Sequence, residues 1–186
     1  MRLLVSRGVV SVRPGPGGGL FVAEPSPTVR LGSAVLALRP GDVTVPHALA
    51  VRDALDPLVV DDAVRHASAT DVADLTALLD EMRAATGEPE AFLDANWRLH
   101  LRMARISPNP ILRSLYSGLM AVVRDRTGRI TATGAGAAAH RRARYALHAD
   151  LVAAIAAGDR ARAGALAAAH HQPVGGVPGA TARPGG

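Results

Sequence analysis

The chain has no cysteine among its 186 residues, and aromatic residues make up only 3% of it. The absence of cysteine excludes disulfides and thiolate metal sites, so any metal must be held by nitrogen and oxygen ligands. With few aromatics, the core must be built from Leu, Val and Ala, which suits close-packed helices better than a β-sandwich. No apolar run approaches the roughly 18 residues of a membrane span, and Arg7 interrupts any apolar signal region near the start. We therefore expect a soluble, cytoplasmic, all-α protein.

The charge of the chain is basic, with a formal net charge of +5 and a pI near 11.1. A basic balance permits nucleic-acid binding but does not require it. Enrichment in arginine and alanine is equally consistent with a GC-rich genome. The charge alone leaves both explanations open.

Residues 1–23 differ from the rest of the chain because they contain short β-type runs. Val9–Val12 and Leu20–Val22 flank a Gly- and Pro-rich stretch, which predicts a β-hairpin with a long tip. A second strand follows the tip, where a phosphate-binding loop would need a helix N-terminus. The tip suits contact with a DNA backbone or minor groove, and an ordinary exposed hairpin is the alternative. The candidate DNA-binding residues are Arg13, Gly15, Gly17 and Gly18.

Residues 24–30 contain paired prolines and read as a linker, because proline interrupts both helix and strand. Residues 31–171 carry helical periodicity with caps and breakers between segments, which predicts an antiparallel bundle of about six to seven helices. Residues 172–186 are rich in Pro and Gly, and we expect them to be disordered. The predicted helices are Leu31–Leu38, Val45–His66, Ser68 to about Ala85, Pro89–Ile106, Asn109 to about Arg126, Ala137–Ala157 and Arg160–His171.

Two histidines lie almost symmetrically about the turn between the last two predicted helices. His148 comes ten residues before Gly158, and His170 comes eleven residues after Asp159. At 1.5 Å per residue each is about 15 Å from the turn, so an antiparallel hairpin brings them level. The periodicity of the last helix selects His170 rather than His171 as the inward-facing residue.

A third histidine completes the candidate metal site. His100 follows Asn96 by four residues, so both share one face of a helix. Three imidazoles and an amide oxygen inside a bundle predict a site for a divalent metal ion, with zinc the first candidate and nickel or manganese the alternatives. The simpler alternative is three unrelated, hydrogen-bonded histidines. His47, His66 and His140 have no comparable partners and are expected at the surface.

An enzymatic role has less support than a binding role. Helical metal-dependent phosphohydrolases carry an adjacent His-Asp pair, and His148-Ala149-Asp150 is the nearest approach to it. No nucleophile or general base is specified beside the histidines. We therefore expect a binding protein, with a metal-dependent hydrolase as the weaker alternative.

Several motifs of this chain resemble a known family of transcription regulators. Residues 5–22 (VSRGVVSVRPGPGGGLFV) look like the end of a GntR-type winged helix-turn-helix, from the last turn of its recognition helix through its wing. The rest resembles the helical effector-binding (FCD) domain of the FadR-like subfamily. The motifs that carry this second resemblance are residues 52–58 (RDALDPL), residues 96–100 (NWRLH) with Asn109-Pro110, and His148 followed by Ala154-Ile155, Gly158-Asp159 and His170.

The resemblance implies a regulator whose bundle binds a metal and, through it, a small carboxylate effector. Effector binding would change how a homodimer presents two DNA-binding domains to operator DNA. By motif, the metal ligands would be Asn96, His100, His148 and His170. Arg52 would bind the effector carboxylate in two-point fashion, with a surface salt bridge as the alternative.

The chain departs from the family pattern at its beginning. A complete winged helix-turn-helix has about three helices before the wing, and here only the last helical turn is recognisable. We accordingly expect weak or lost operator binding, through either a misplaced start codon or a truncated gene product. A free-standing metal- or metabolite-binding bundle is the alternative function.

Overall fold

The computed structural model describes residue 5, residues 10–22, residues 44–127 and residues 135–170. The chain divides into two compact units, Met1–Thr44 and Val45–Gly186, which we treat separately. The predicted helix at 31–38, the linker at 24–30 and the tail at 172–186 lie outside the described residues. The predicted domain boundaries therefore stay predictions.

The first unit contains a two-stranded antiparallel hairpin, β1 (Val10–Arg13) and β2 (Gly19–Val22). Its register pairs Val10 with Val22 and Arg13 with Gly19, so each strand extends one residue closer to the tip than the sequence suggested. Gly15 and Gly17 adopt positive φ angles of 109° and 84°, which non-glycine residues seldom do. At Gly18 the backbone folds so closely that a Cβ would lie 2.2 Å from the carbonyl oxygen of Arg13. The glycines of the tip are thus required by its backbone.

The second unit is a helical bundle, as the sequence predicts. Six helices are described there, with a short 3₁₀ turn at Ala85–Gly87. They are α1 (Val45–His66), α2 (Ala69–Ala84), α3 (Pro89–Ile106), α4 (Pro110–Thr127), α5 (Ala135–Ala156) and α6 (Arg160–His170). The predicted all-α fold class is confirmed. Among the described residues, no helix is long and apolar enough to cross a membrane.

Side-chain caps fix where α2 and α4 begin. Ser68 and Asp71 form a capping box: the Asp71 amide donates to Ser68 Oγ at 3.1 Å, and the Ser68 amide donates to Asp71 Oδ2 at 2.7 Å. At α4, Asn109 Oδ1 accepts hydrogen bonds from the amides of Ile111 and Leu112. Each cap satisfies amides that have no partner within the helix, so both helix starts were readable in the sequence.

The turn between α5 and α6 is a Schellman motif. Gly158 has a φ of 68°. Its amide donates to the carbonyl of Ile155 at 3.1 Å, and the Asp159 amide donates to the carbonyl of Ala154 at 2.9 Å. Asp159 then caps α6 by accepting from the Arg162 amide at 3.0 Å. This two-residue reversal makes α5 and α6 antiparallel neighbours.

The core lies where the inward faces of the helices meet. Its fully buried side chains include Leu75, Met82, Leu99, Met103 and Tyr116. On α1 the sequence predicts an apolar stripe through Leu49, Leu55, Leu58, Val59 and Ala63. Val59 and Ala63 are buried as predicted, but Leu58 is 56% exposed, so its predicted inward position is wrong. Successive helical residues differ by about 100°, so a face centred on Val59 and Ala63 turns Leu58 outward.

Candidate metal centre

Three histidines from three helices converge inside the bundle. His100 comes from α3, His148 from α5 and His170 from α6, and all three are buried. The Nε2 atom of His148 lies 3.1 Å from Nε2 of His100 and 3.1 Å from Nε2 of His170. Ring nitrogens of all three lie within 4.8 Å of one another, and the set could hold a metal ion. His47, His66 and His140 are exposed, as expected.

The outer nitrogen of His148, meaning the ring nitrogen Nδ1 that does not face the other histidines, lies against a backbone acceptor. His148 Nδ1 lies 2.8 Å from the carbonyl oxygen of Arg144, one helical turn earlier. A carbonyl oxygen can only accept, so Nδ1 must carry the hydrogen. In the neutral ring, Nε2 of His148 then presents a lone pair to the other histidines.

The outer nitrogen of His100, Nδ1, faces a tyrosine whose hydroxyl hydrogen is already donated to a carboxylate. Tyr116 donates its O–H to Asp56 Oδ1 at 2.5 Å. His100 Nδ1 lies 3.1 Å from the same hydroxyl oxygen, so Nδ1–H is the donor in that contact. Nε2 of a neutral His100 therefore also presents a lone pair to the cluster.

These hydrogen bonds leave two lone pairs facing each other across 3.1 Å. Burial lowers the pKa of His100 well below its usual value, and the charges of the other histidines, Arg52 and Arg144 act in the same direction. Burial likewise lowers the pKa of His148 to about 4. Both rings are therefore neutral near pH 7, which is the form that binds metal ions. A cation between the two nitrogens would replace their repulsion by coordination.

Asn96 supplies an oxygen acceptor to the same region of α3. It lies one helical turn before His100, and its Oδ1 is buried without a hydrogen-bond partner among the described residues. A buried, unsatisfied amide oxygen is uncommon and calls for a ligand. The three imidazoles fit a divalent ion of the zinc type, and an amide oxygen is a chemically compatible fourth donor.

A small cavity adjoins the histidines. Asp56, His100 and His170 line it together with Val59, Val60, Met103, Leu151 and Ala167. Arg52 lies one helical turn from Asp56, with its Nε 3.8 Å from Asp56 Oδ2. Its guanidinium also donates from Nε to Asp53 Oδ1 at 2.9 Å. The predicted effector residue Arg52 thus lies near the histidine cluster, within an ion-pair network of α1.

Three residues around the cluster were not found from the sequence. Asp56 and Tyr116 form the chain of hydrogen bonds behind His100, and Arg144 donates from Nη1 to the carbonyl oxygen of His170 at 2.7 Å. Asp56 lies in the motif RDALDPL, but helical spacing alone gives no partner for it on α4. The signal that could have found it is an acidic residue on the inward face of an otherwise apolar helix.

The predicted DNA-binding residues all lie in the hairpin of the first unit. Arg13 is exposed, and its guanidinium carbon lies 4.9 Å from the centre of the Phe21 ring, in cation–π contact. Gly15, Gly17 and Gly18 form the exposed tip between the strands. The arrangement presents one cation beside a glycine-rich turn.

Comparison with known proteins places the second unit in a family. The family model for the FCD domain matches residues 47–172. The chain therefore belongs to the FCD domain family, and the predicted resemblance to that domain is confirmed.

The fold is shared with solved structures of low sequence identity. E. coli McbR/YncC is 21% identical with a TM-score of 0.55, over 91% of this chain and 76% of that chain. Streptococcus agalactiae GntR is 18% identical with a TM-score of 0.59, over 91% of this chain and 75% of that chain. No curated protein matches the sequence.

Proposed function

We propose that this chain is a GntR-type transcription regulator whose FCD domain binds a divalent metal ion and senses a small organic acid. The observation that carries the metal proposal is the contact between His100 Nε2 and His148 Nε2 at 3.1 Å. Both outer nitrogens face hydrogen-bond acceptors, so neither inner nitrogen has a hydrogen to share. Asn96, His100, His148 and His170 would hold the ion.

Zinc is the first candidate ion, with nickel and manganese as the alternatives. Imidazole suits zinc and nickel, whereas manganese prefers sites richer in oxygen. A bound ion would supply a positive charge able to coordinate an anionic ligand. We favour sensing over hydrolysis, because among the described residues the carboxylate that lines the cavity beside the histidines, Asp56, already accepts a hydrogen bond from Tyr116 and pairs with Arg52.

The metal proposal is tested by elemental analysis of protein purified without chelator. We expect about one ion per chain, lost in His148→Ala and retained in His140→Ala. Both positions lie on α5, but His140 is exposed. At 100 times Kd, added metal should stabilise the wild type by about 2.7 kcal/mol. No ion in the purified protein, together with no thermal shift on adding zinc, nickel or manganese, would refute the site.

Arg52 is proposed to bind the carboxylate of the effector. Its side chain is 14% exposed. It pairs with Asp56, which lines the cavity together with His100 and His170, so Arg52 lies close to the cluster. A guanidinium binds a carboxylate through two parallel hydrogen bonds, and a nearby metal ion would add a third contact.

A thermal-shift screen of small organic acids, with and without zinc, tests this assignment. An acid that stabilises the wild type only with zinc present should lose its effect in Arg52→Ala. Arg65→Ala is the matched control because Arg65 also lies on α1 and pairs with Asp61 and Asp62 at its far end. Equal stabilisation of the Arg52→Ala variant would remove Arg52 from the effector site.

Operator DNA is the proposed macromolecular partner, contacted by Arg13 and the glycine tip formed by Gly15, Gly17 and Gly18. A cation beside an exposed glycine-rich turn can bind phosphate oxygens, and such contacts position a protein on DNA without reading its sequence. Loss of Arg13 should weaken binding uniformly across sequences and reduce its salt dependence, as measured by electrophoretic shift.

A homodimer is proposed through exposed apolar side chains of α1 and α4, two helices that pack against each other. Val51 and Leu58 on α1 are 52% and 56% exposed, and Ile111 on α4 is 56% exposed. Large exposed apolar side chains on packed helices are candidates for a protein–protein interface. Light scattering should give a dimer mass for the wild type and a monomer mass for Leu58→Glu. A monomeric wild type would refute this interface.

A further inference from the structure

We propose that Tyr116, oriented by Asp56, is a positioning residue that keeps His100 in the tautomer able to bind a metal ion through Nε2. The inference rests on the proposed metal site and goes beyond it, because neither Asp56 nor Tyr116 is among the proposed ligands. It assigns a function to a hydrogen-bond chain that crosses the core from α1 through α4 to α3.

The direction of this chain is fixed at Asp56. A carboxylate only accepts hydrogen bonds, so the single hydroxyl hydrogen of Tyr116 points to Asp56 Oδ1 at 2.5 Å. The oxygen of Tyr116 is then left with lone pairs toward His100 Nδ1, 3.1 Å away. His100 must place its hydrogen on Nδ1, which leaves Nε2 free for a metal ion.

Burial prevents water from replacing either partner. Tyr116 is 0% exposed and Asp56 is 4% exposed. Burial, followed by the Asp56 charge, raises the pKa of Tyr116 well above its usual value, so the hydroxyl stays protonated. Without the hydroxyl, His100 Nδ1 would face an apolar ring edge, and the hydrogen would be better placed on Nε2, where His148 Nε2 can accept it.

His148 provides an internal contrast. Its Nδ1 donates to the main-chain carbonyl of Arg144, which no side-chain substitution removes. Among these two histidines, only the tautomer of His100 therefore depends on a replaceable side chain. Removing a residue that hydrogen-bonds the second ring nitrogen of a metal-binding histidine typically weakens metal affinity by about 10- to 100-fold.

The test compares Tyr116→Phe with Tyr145→Phe. Phenylalanine keeps the ring of Tyr116 and removes only its hydroxyl. The chain has two tyrosines, and Tyr145 packs against the core from α5, which makes it the matched control. Zinc affinity is measured by competition with a chromophoric chelator, and urea unfolding of the metal-free proteins reports stability separately.

We expect Tyr116→Phe to bind zinc about 10- to 100-fold more weakly than the wild type, with Tyr145→Phe unchanged. Nitrogen-15 NMR of the metal-free proteins should show His100 with its hydrogen on Nδ1 in the wild type and on Nε2 in Tyr116→Phe. A purely structural role for Tyr116 would not move this tautomer signal.

The outcomes separate this inference from the proposed metal site. If the wild type itself binds no metal, the proposed function fails. If the wild type binds zinc and Tyr116→Phe binds it equally with an unchanged His100 tautomer, only the positioning role is overturned. Should Tyr116→Phe fail to fold, Asp56→Asn tests the same chain, because an amide no longer dictates the direction of the Tyr116 hydroxyl. Wild-type zinc affinity in a folded Asp56→Asn variant would equally overturn the inference.

Discussion

Acid should destabilise the metal-free bundle in a pH window set by its buried histidines. Burial lowers the pKa of His148 to about 4, from 6.5 in the unfolded chain. Between these values the unfolded chain binds a proton that the folded chain excludes, so a fall in pH favours unfolding. The free energy of unfolding therefore keeps its full value with respect to His148 above pH 6.5, and it decreases as the pH falls toward 4.

The size of the effect follows from the shift. Lowering the pKa of His148 from 6.5 to about 4, at about 1.4 kcal/mol per pH unit, corresponds to about 3 kcal/mol in full. Of this, about 2 kcal/mol is lost between pH 7 and pH 5. The pKa of His100 is lowered for the same first reason, burial, and changes stability in the same direction. The combined effect of the two histidines on the free energy of unfolding is large compared with the usual stability of a domain, about 5–15 kcal/mol.

Urea unfolding in chelator at pH 7, 6 and 5 measures this dependence. The capping carboxylate of Asp71 does not interfere, because hydrogen bonds from Ser68 lower its pKa to about 2, and its contribution is lost only below pH 4. His148→Gln should flatten the pH dependence, whereas His140→Gln on the same helix should leave it unchanged. Stability that is constant or rises as the pH falls to 5 would refute the assignment of His148 as a buried neutral ring.

Two further predictions concern helix ends. Ser68→Ala removes one side of the capping box and should lower the free energy of unfolding by about 1 kcal/mol, measured by urea titration at pH 7. Gly158→Ala forces a side chain into a φ of 68° and should cost about 1 kcal/mol, while Gly164→Ala, exposed within α6, should stabilise by about 0.5–1 kcal/mol. Equal effects at the two glycines would contradict the positive-φ explanation.

The helices were predictable because their ends are determined by local chemistry. Ser68, Asn109 and Gly158 act on amides and carbonyls within a few residues, so the sequence contains the whole interaction. The spacing of His148 and His170 about the Gly158 turn then predicted that they would lie level with each other. That juxtaposition agrees with the 3.1 Å contact between their Nε2 atoms.

The surroundings of the histidines could not be predicted in the same way. The hydrogen bond between Asp56 and Tyr116 joins residues 60 positions apart on α1 and α4, and their pairing depends on how two helices pack. The exposure of Leu58 also depends on helix packing that the sequence does not specify. A small error in the rotation of α1 about its axis exchanges a buried position for an exposed one, and the apolar residues of α1, which lie on several sides of the helix, fix that rotation poorly.

The cost of burying this polar cluster supports a functional origin for it. Three imidazoles and the carboxylate of Asp56 are each removed from water, and burial of such groups opposes folding unless hydrogen bonds compensate. Those bonds exist on the outer side of His100 and His148, but their inner nitrogens face each other as acceptors. Leucine or alanine at these positions would suit a bundle selected only for stability. The hydrogen bonds on the outer side direct the lone pairs of His100 and His148 toward each other. This arrangement destabilises the metal-free fold, and a cation bound between the two nitrogens would remove that cost.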